Sequence, residues 1–281
     1  MPQHFVAAPH WGWYIVGYFF LGGIAGGAYA LGVMLHLWGE ERDGEAARVA
    51  FRICFPLLVV CAILLTLDLG KPFRFWHMLI AFKYWSPMSM GAWALLLFGA
   101  FAGVSFLGAR APGGGVERFL SGALGRVFQI VGALLGLFIA GYTGVLLSVS
   151  NQPVWSDTWT LGGLFLASGL SAAAAAIVLV ALRYRPEAGA SVPKLSDADR
   201  YFIFLELALL VLFFWTLGGM ASKALGAWII LWLIVLAGTL VPLVLHLRPA
   251  LARQRSPLLV PGLVLLGSLA LRTVIVFSAQ T

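Results

Sequence analysis

Eight stretches of this sequence run for about 20 residues with almost no charged side chain, which is the length a helix needs to cross a bilayer. They lie at roughly 12–38, 50–69, 89–109, 127–149, 161–183, 201–222, 225–247 and 257–278. In hydrocarbon every backbone N–H and C=O must be satisfied within the protein, so a spanning segment is a helix or a strand of a closed barrel. The alternation of apolar and polar residues that marks barrel strands is missing here. The expected fold is therefore all-α: a polytopic membrane protein of eight transmembrane helices, forming one integral membrane domain over residues 1–281. A soluble domain is about a quarter charged, whereas this sequence is 10% charged and 61% hydrophobic. The links between runs are short, the longest polar one being 184–200, and none has room for a soluble domain.

The charge pattern sets an orientation. A net charge of +7 invites a nucleic-acid reading, but the cations sit between apolar runs, where they act as topology signals. The links after runs 1, 3, 5 and 7 and their flanks carry 13 Lys and Arg residues, against four on the other side (Lys71, Arg74, Lys83 and Lys223). The positive-inside rule then puts both termini outward. In a bacterium this is the periplasmic side of the inner membrane. No Lys or Arg precedes the first run, so the N-terminus does not read as a cleaved signal peptide. Cys54 and Cys61 are seven residues apart, on one helix face and too distant to bridge. They read as small buried apolar residues, and with no cysteine cluster the protein is expected to hold no iron–sulfur cluster of its own.

The chemistry concentrates at 66–93, TLDLGKPFRFWHMLIAFKYWSPMSMGAW. An apolar run ends in Asp68, and Lys71, Arg74 and His77 follow, interleaved with Phe73, Phe75 and Trp76. Arg74, Trp76 and Trp85 are explained by anchoring at the headgroups. A carboxylate there is costly in lipid, so Asp68 should face protein, water or a cation. Tyr142 and Arg272 each fall about 10 Å below the outer end of their runs at 1.5 Å per residue, and Tyr18 lies at a similar depth. For Asp68 two readings stand side by side: an ion pair with Arg272 inside the bundle, or direct contact with a ligand. Gly22 with Gly26, and Gly23 with Gly27, form small-xxx-small pairs that admit either a neighbouring helix or a flat ligand. Glu206, six residues into its run, and His246 lie near the inner side and are a candidate inward proton route. Haem is not expected. His36, His77 and His246 sit at run ends or in a link, and no run carries two histidines spaced for stacked haems.

With these residues in view, the whole sequence resembles the NrfD/PsrC family of membrane subunits of polysulfide, nitrite and related respiratory oxidoreductases. The motifs are WGWYIVGYFFLGGIAGGAYALG in run 1, LDLGKPFRFWHML after run 2, SPMSMGAW opening run 3, GYTGVLLSVSNQPVW closing run 4, and the Arg272 region. The resemblance implies two four-helix bundles, no haem, and a quinone site near the outer face, for menaquinone or ubiquinone. It implies a periplasmic partner, a four-cluster ferredoxin-like iron–sulfur subunit, which exchanges electrons with a molybdopterin catalytic subunit or a cytochrome. By position, Tyr142 matches the family's quinone-contacting tyrosine and Asp68 its acidic residue after run 2. Some members place Asn and His near the quinone in run 1, where this sequence has Ile15 and Tyr18.

A quinone site formed by Tyr142, Asp68, Tyr18 and Arg272 against a wall at Gly22 and Gly26 is thus the leading expectation. The partner would dock on the outer links 69–88 and 150–160, through Trp76, Trp85, Trp155 and Trp159. Two other readings are a membrane transporter, given intramembrane Asp68, Glu206 and Arg272, and an anchor without a quinone site. The matched, broken helices of a transporter with inverted repeats are not evident between 1–149 and 161–281. The orientation is directly testable. A reporter active only outside the cytoplasm, fused after Thr281, is expected to be active, and activity confined to a cytoplasmic reporter would overturn the topology.

Overall fold

The computed structural model describes residues 10–74, 76–80, 82–248 and 256–280. Phe75, Arg253, Arg255 and Thr281 fall outside this set, as does the side chain of Arg74. Eight long helices are present among the described residues, with no strand. They are α1 (Trp13–Trp38), α2 (Gly44–Asp68), α3 (Pro87–Arg110), α4 (Ala123–Ser148), α5 (Leu161–Tyr184), α6 (Val192–Leu217), α7 (Ile229–Leu247) and α8 (Leu259–Ser278). α1–α4 pack as one group of four and α5–α8 as a second, joined through α1, α4 and α5. Short helical turns fill several links, including His77–Ile80 and Ala221–Leu225.

Helices that meet in lipid gain little from the hydrophobic effect and depend on close packing, so small residues decide which helices lie inside. α1 carries GGIAGGAYALG and α5 carries SGLSAAAAA, and both are buried along most of their length. Between α1 and α4 the backbones nearly touch, because a Cβ added at Gly26 would collide with the Gly136 carbonyl. α2, α3, α6 and α7 instead turn Val59, Ile63, Leu96, Val211, Trp215, Ile230 and Leu233 outward. Large apolar side chains exposed in mid-helix fit a surface whose solvent is hydrocarbon. Both cysteines are free and buried.

The segments that begin α1 and follow α8 meet. Trp11 N–H donates to Gln280 Oε1 at 2.8 Å, and the Gln280 amide returns a bond to the Trp11 carbonyl at 3.1 Å. We call this end the terminal face and the opposite one the cationic face. On the cationic face Asp43 is fully buried at the start of α2. It accepts from Ser191 Oγ at 2.7 Å, Lys194 Nζ at 2.6 Å and Glu40 N at 2.9 Å, tying the α1–α2 link to the α5–α6 link. Lys194 also bonds Glu40 and holds that exposed carboxyl below the usual carboxylate range.

The helix boundaries depart most from expectation at α6, which begins at Val192 rather than near 201. Pro193 in its first turn favours helix initiation, and the polar stretch 194–200 continues the same helix. Glu206 therefore lies about 14 residues, or roughly 21 Å, along α6, well inside it and not near its end. The helix stops where Gly218 takes φ +50°, a conformation glycine adopts without steric cost.

The α1–α4 contact gives a stability prediction. Gly26→Ala forces apart two backbones with no side chain to yield, and should cost about 1–3 kcal/mol. A thermal midpoint in detergent equal to wild type would contradict this packing.

Candidate functional site

A cavity of about 740 Å³ opens in the first bundle, towards the terminal face. Each of its four helices contributes a side chain or a gap: Tyr18 from α1, Asp68 from α2, Gly91 from α3 and Tyr142 from α4. The rest of the wall is mostly apolar, including Trp11, Ile15, Phe55, Leu58, Leu95 and Leu146. Val59 and Leu96 line it and also face outward, so the cavity reaches the lipid side between α2 and α3.

Its polar groups differ in how they are held. Tyr142 donates its hydroxyl to the Pro87 carbonyl in the first turn of α3, and its ring stacks on Phe138 at 5.4 Å. Gly91 makes that possible: a Cβ there would fall 2.5 Å from the tyrosine ring and hydroxyl. The Tyr18 hydroxyl has no hydrogen-bond partner among the described residues, although the residue is only 4% exposed. It therefore keeps a donor for whatever enters the cavity. Asp68 is the last residue of α2 and is exposed at the cavity rim. A carboxylate at a helix C-terminus opposes the helix dipole, so local helix energetics do not favour an acid there.

Arg272 is placed elsewhere. It is fully buried between α1, α5 and α8 and does not line the cavity. Nε donates to the Phe19 carbonyl at 3.0 Å and Nη2 to the Phe165 carbonyl at 3.2 Å. Nη1 reaches Ser168 Oγ at 3.2 Å, Ser268 O at 3.0 Å and Ser268 Oγ at 2.6 Å. The guanidinium also sits 5.1 Å from the centre of the Phe165 ring. The expected ion pair with Asp68 is not formed, and Asp68 has no ion-pair partner among the described residues. The physical reason is that neutral oxygens at the α1–α5–α8 contact already take up the guanidinium's donors.

Other expectations divide in the same way. Gly22 and Gly26 do not line the cavity; Gly26 serves the α1–α4 contact and Gly23 leaves room for the Arg272 guanidinium. Trp155, expected on an exposed link, is fully buried, stacks on Trp11 at 5.1 Å and donates to the Ile275 carbonyl at 2.7 Å. Trp76, Trp85 and Trp159 are exposed on the terminal face, as is Phe73. His246 pairs with Asp199 at 3.0 Å rather than with Glu206. Sequence reasoning misses Gly91, although SPMSMGAW contains it, because its role depends on a tyrosine 51 residues away.

Fold and cavity together define a class: polytopic helical membrane proteins with an apolar side cavity and a few convergent polar groups near one face. Comparison with known proteins narrows it. The family model described as "Polysulphide reductase, NrfD" matches residues 1–281, and the protein belongs to that family. It is 28% identical to a polysulfide reductase component from Wolinella succinogenes, over 96% of this sequence and 94% of the relative. It is 27% identical to protein NrfD of Escherichia coli K12, over 62% of this sequence and 61% of that protein. A shorter match, 28% over 31% of this sequence and 20% of the relative, reaches a selenate reductase subunit of Mesobacillus selenatarsenatis.

The Arg272 site yields a prediction. Lysine is a compact charge that does not reproduce the guanidinium's planar spread of donors to Phe19, Phe165, Ser168 and Ser268. Arg272→Lys should therefore destabilise the bundle by about 3–5 kcal/mol, or prevent assembly, as expected when a buried charge loses its partners. A variant with wild-type yield and thermal midpoint would show that this network is dispensable.

Proposed function

We propose that the protein is the quinone-reactive membrane subunit of a respiratory oxidoreductase complex. It lies in a bacterial inner membrane with both termini in the periplasm, and exchanges electrons between the quinone pool and a periplasmic iron–sulfur subunit. The observation that carries this reading is the joint placement of Tyr18, Tyr142 and Asp68 in one apolar cavity open to lipid. The volume lies within the range of small-molecule pockets, about 300–1,000 Å³, and the wall suits an apolar molecule with a compact polar head. The match to the Wolinella protein supports the same reading, since that relative is by name one component of a polysulfide reductase.

The residues have distinct tasks in this reading. A bound quinone supplies the capacity to carry two electrons and two protons. Tyr18 donates its uncommitted hydroxyl to one ring oxygen. Tyr142, fixed by its bond to the Pro87 carbonyl and packed against Gly91, presents its hydroxyl oxygen at a set position, where a free lone pair can accept a hydrogen bond from the head group. Asp68, at the rim, holds or releases a proton between the cavity and water. The apolar wall excludes water from the head group. Arg272 acts at one remove: its bond to the Phe19 carbonyl fixes the turn of α1 that carries Tyr18. The iron–sulfur subunit and a catalytic subunit beyond it dock on the terminal face, where Phe73 is 93% exposed and Trp85 and Trp159 are exposed as well.

Tyr142→Phe and Asp68→Asn separate the tasks. Loss of one hydrogen bond should weaken quinone binding by about 1–2 kcal/mol, roughly 5–30-fold. Loss of a proton carrier should lower turnover on the order of 10²-fold with binding little changed. Both variants are to be assayed in the assembled complex, by quinol-dependent reduction of the iron–sulfur partner. Wild-type rates and affinities in both would refute the assignment.

A further inference from the structure

The second bundle holds a polar system that the cavity of the first bundle does not use. Glu206 of α6 is 3% exposed, and its Oε1 has no hydrogen-bond partner among the described residues. The polar groups around its carboxyl are the Ser168 hydroxyl, the Arg272 guanidinium and the Asp199 carboxyl. Glu206 is not simply the counter-ion of Arg272. No carboxylate lies within salt-bridge distance of that guanidinium among the described residues, and its bonds end on neutral oxygens. Ser168 acts on both. As a carboxylate, Glu206 answers the guanidinium's charge; as an acid, it has an O–H to give to Ser168. Both forms thus have a partner in place.

A path leads from this carboxyl to the cationic face. Asp199 sits seven residues earlier on α6, about 10 Å along the helix axis. Ser171 Oγ donates to Asp199 Oδ1 at 2.5 Å, and His246 Nε2 lies 3.0 Å from Asp199 Oδ2. Asp199 and His246 line a second cavity of about 590 Å³, bounded by Leu182, Pro193 and Pro257 where α5 ends and α6 and α8 begin. Ser171 and Ser168 stand one turn apart on α5, so two hydroxyls are placed along the interval between Asp199 and the surroundings of Glu206. A histidine–carboxylate pair lining such a cavity, with the carboxylate buried and the imidazole partly exposed, is suited to passing protons inward.

We propose that Glu206 is a proton-loading site served from the cationic face through His246, Asp199 and the serines of α5. Its protonation follows the redox reaction of the first cavity, and in that respect the proposal rests on the quinone reading. The step is a proton transfer alone. A proton from water on the cationic side passes to His246, then by way of Asp199 to the Glu206 carboxylate, which becomes a carboxylic acid, and no electrons move. The coupling element is α1, whose Phe19 carbonyl accepts from Arg272 while the adjacent Tyr18 faces the first cavity.

The test is redox-induced infrared difference spectroscopy on the purified complex, reading the carbonyl stretch of a protonated buried carboxyl group. The wild type should show this band, Glu206→Gln should abolish it, and Asp199→Asn should slow its appearance at least about tenfold. Quinol-dependent reduction of the iron–sulfur partner should persist in Glu206→Gln. This separates the proposal from the quinone reading, which fails instead if Tyr142→Phe and Asp68→Asn leave electron exchange unchanged. If Glu206→Gln does not assemble, Glu206→Asp should shift the band. No band in the wild type, a band unaltered by the Glu206 substitution that assembles, or unchanged kinetics in Asp199→Asn would each overturn the proposal.

Discussion

The molecule depends on one buried cation. Arg272 carries its charge into the middle of an apolar bundle, where an unpaired ion costs several kcal/mol, and does so without a carboxylate in contact. Its donors are met by backbone carbonyls from α1 and α5 and by serines of α5 and α8. Helical carbonyls are already engaged along their own helix, so accepting a further bond from the side requires near-ideal placement. That placement fixes the rotation of α1 against α5 and α8. It also requires the gap at Gly23, since a Cβ there would lie 2.7 Å from Nη2. The glycine-rich face of α1, the alanine-rich face of α5 and the guanidinium between them form one unit.

Because α1 is central, it is also the wall between two polar systems. Tyr18 looks into the first cavity, while the carbonyl of the next residue belongs to the Arg272 network. A rotation of α1 that displaced the Tyr18 hydroxyl would strain the bond at Phe19, and the reverse also holds. Coupling between the two bundles thus needs no rearrangement larger than a turn of one helix. The Asp43–Ser191–Lys194 contact holds the cationic ends of the two halves together, and the Trp11–Gln280 and Trp155–Ile275 bonds join them at the terminal face.

Much of this is legible in the sequence, and the exceptions have physical causes. Apolar runs of bilayer length announce themselves through composition alone, and all eight helices are where the runs are. The similar depth of Tyr18 and Tyr142 follows from counting residues, and the structure places both in one cavity with Asp68 at its rim. Depth does not fix direction around a helix axis, however. Arg272 shares the depth yet points to another interface, and Gly22 and Gly26 stand outside the cavity wall. Hydropathy alone starts α6 too late, because it marks where lipid begins and not where a helix begins, and Pro193 sets the true start. Trp155 misleads because a tryptophan in a link looks like an interfacial anchor. Its burial depends on Trp11 and on the Ile275 carbonyl, 144 and 120 residues away.

The first cavity opens sideways, between the outward-facing Val59 and Leu96, and this changes what affinity means for it. A molecule reaching Tyr18 from that side arrives by diffusion within the membrane plane and never crosses bulk water. Occupancy is then governed by its mole fraction among the lipids, not by an aqueous concentration. Diluting the protein into more lipid at constant ligand would empty the site, while diluting the whole suspension with buffer would leave it as full as before. Lipid composition and leaflet thickness around α2 and α3 therefore act as part of the site's own chemistry.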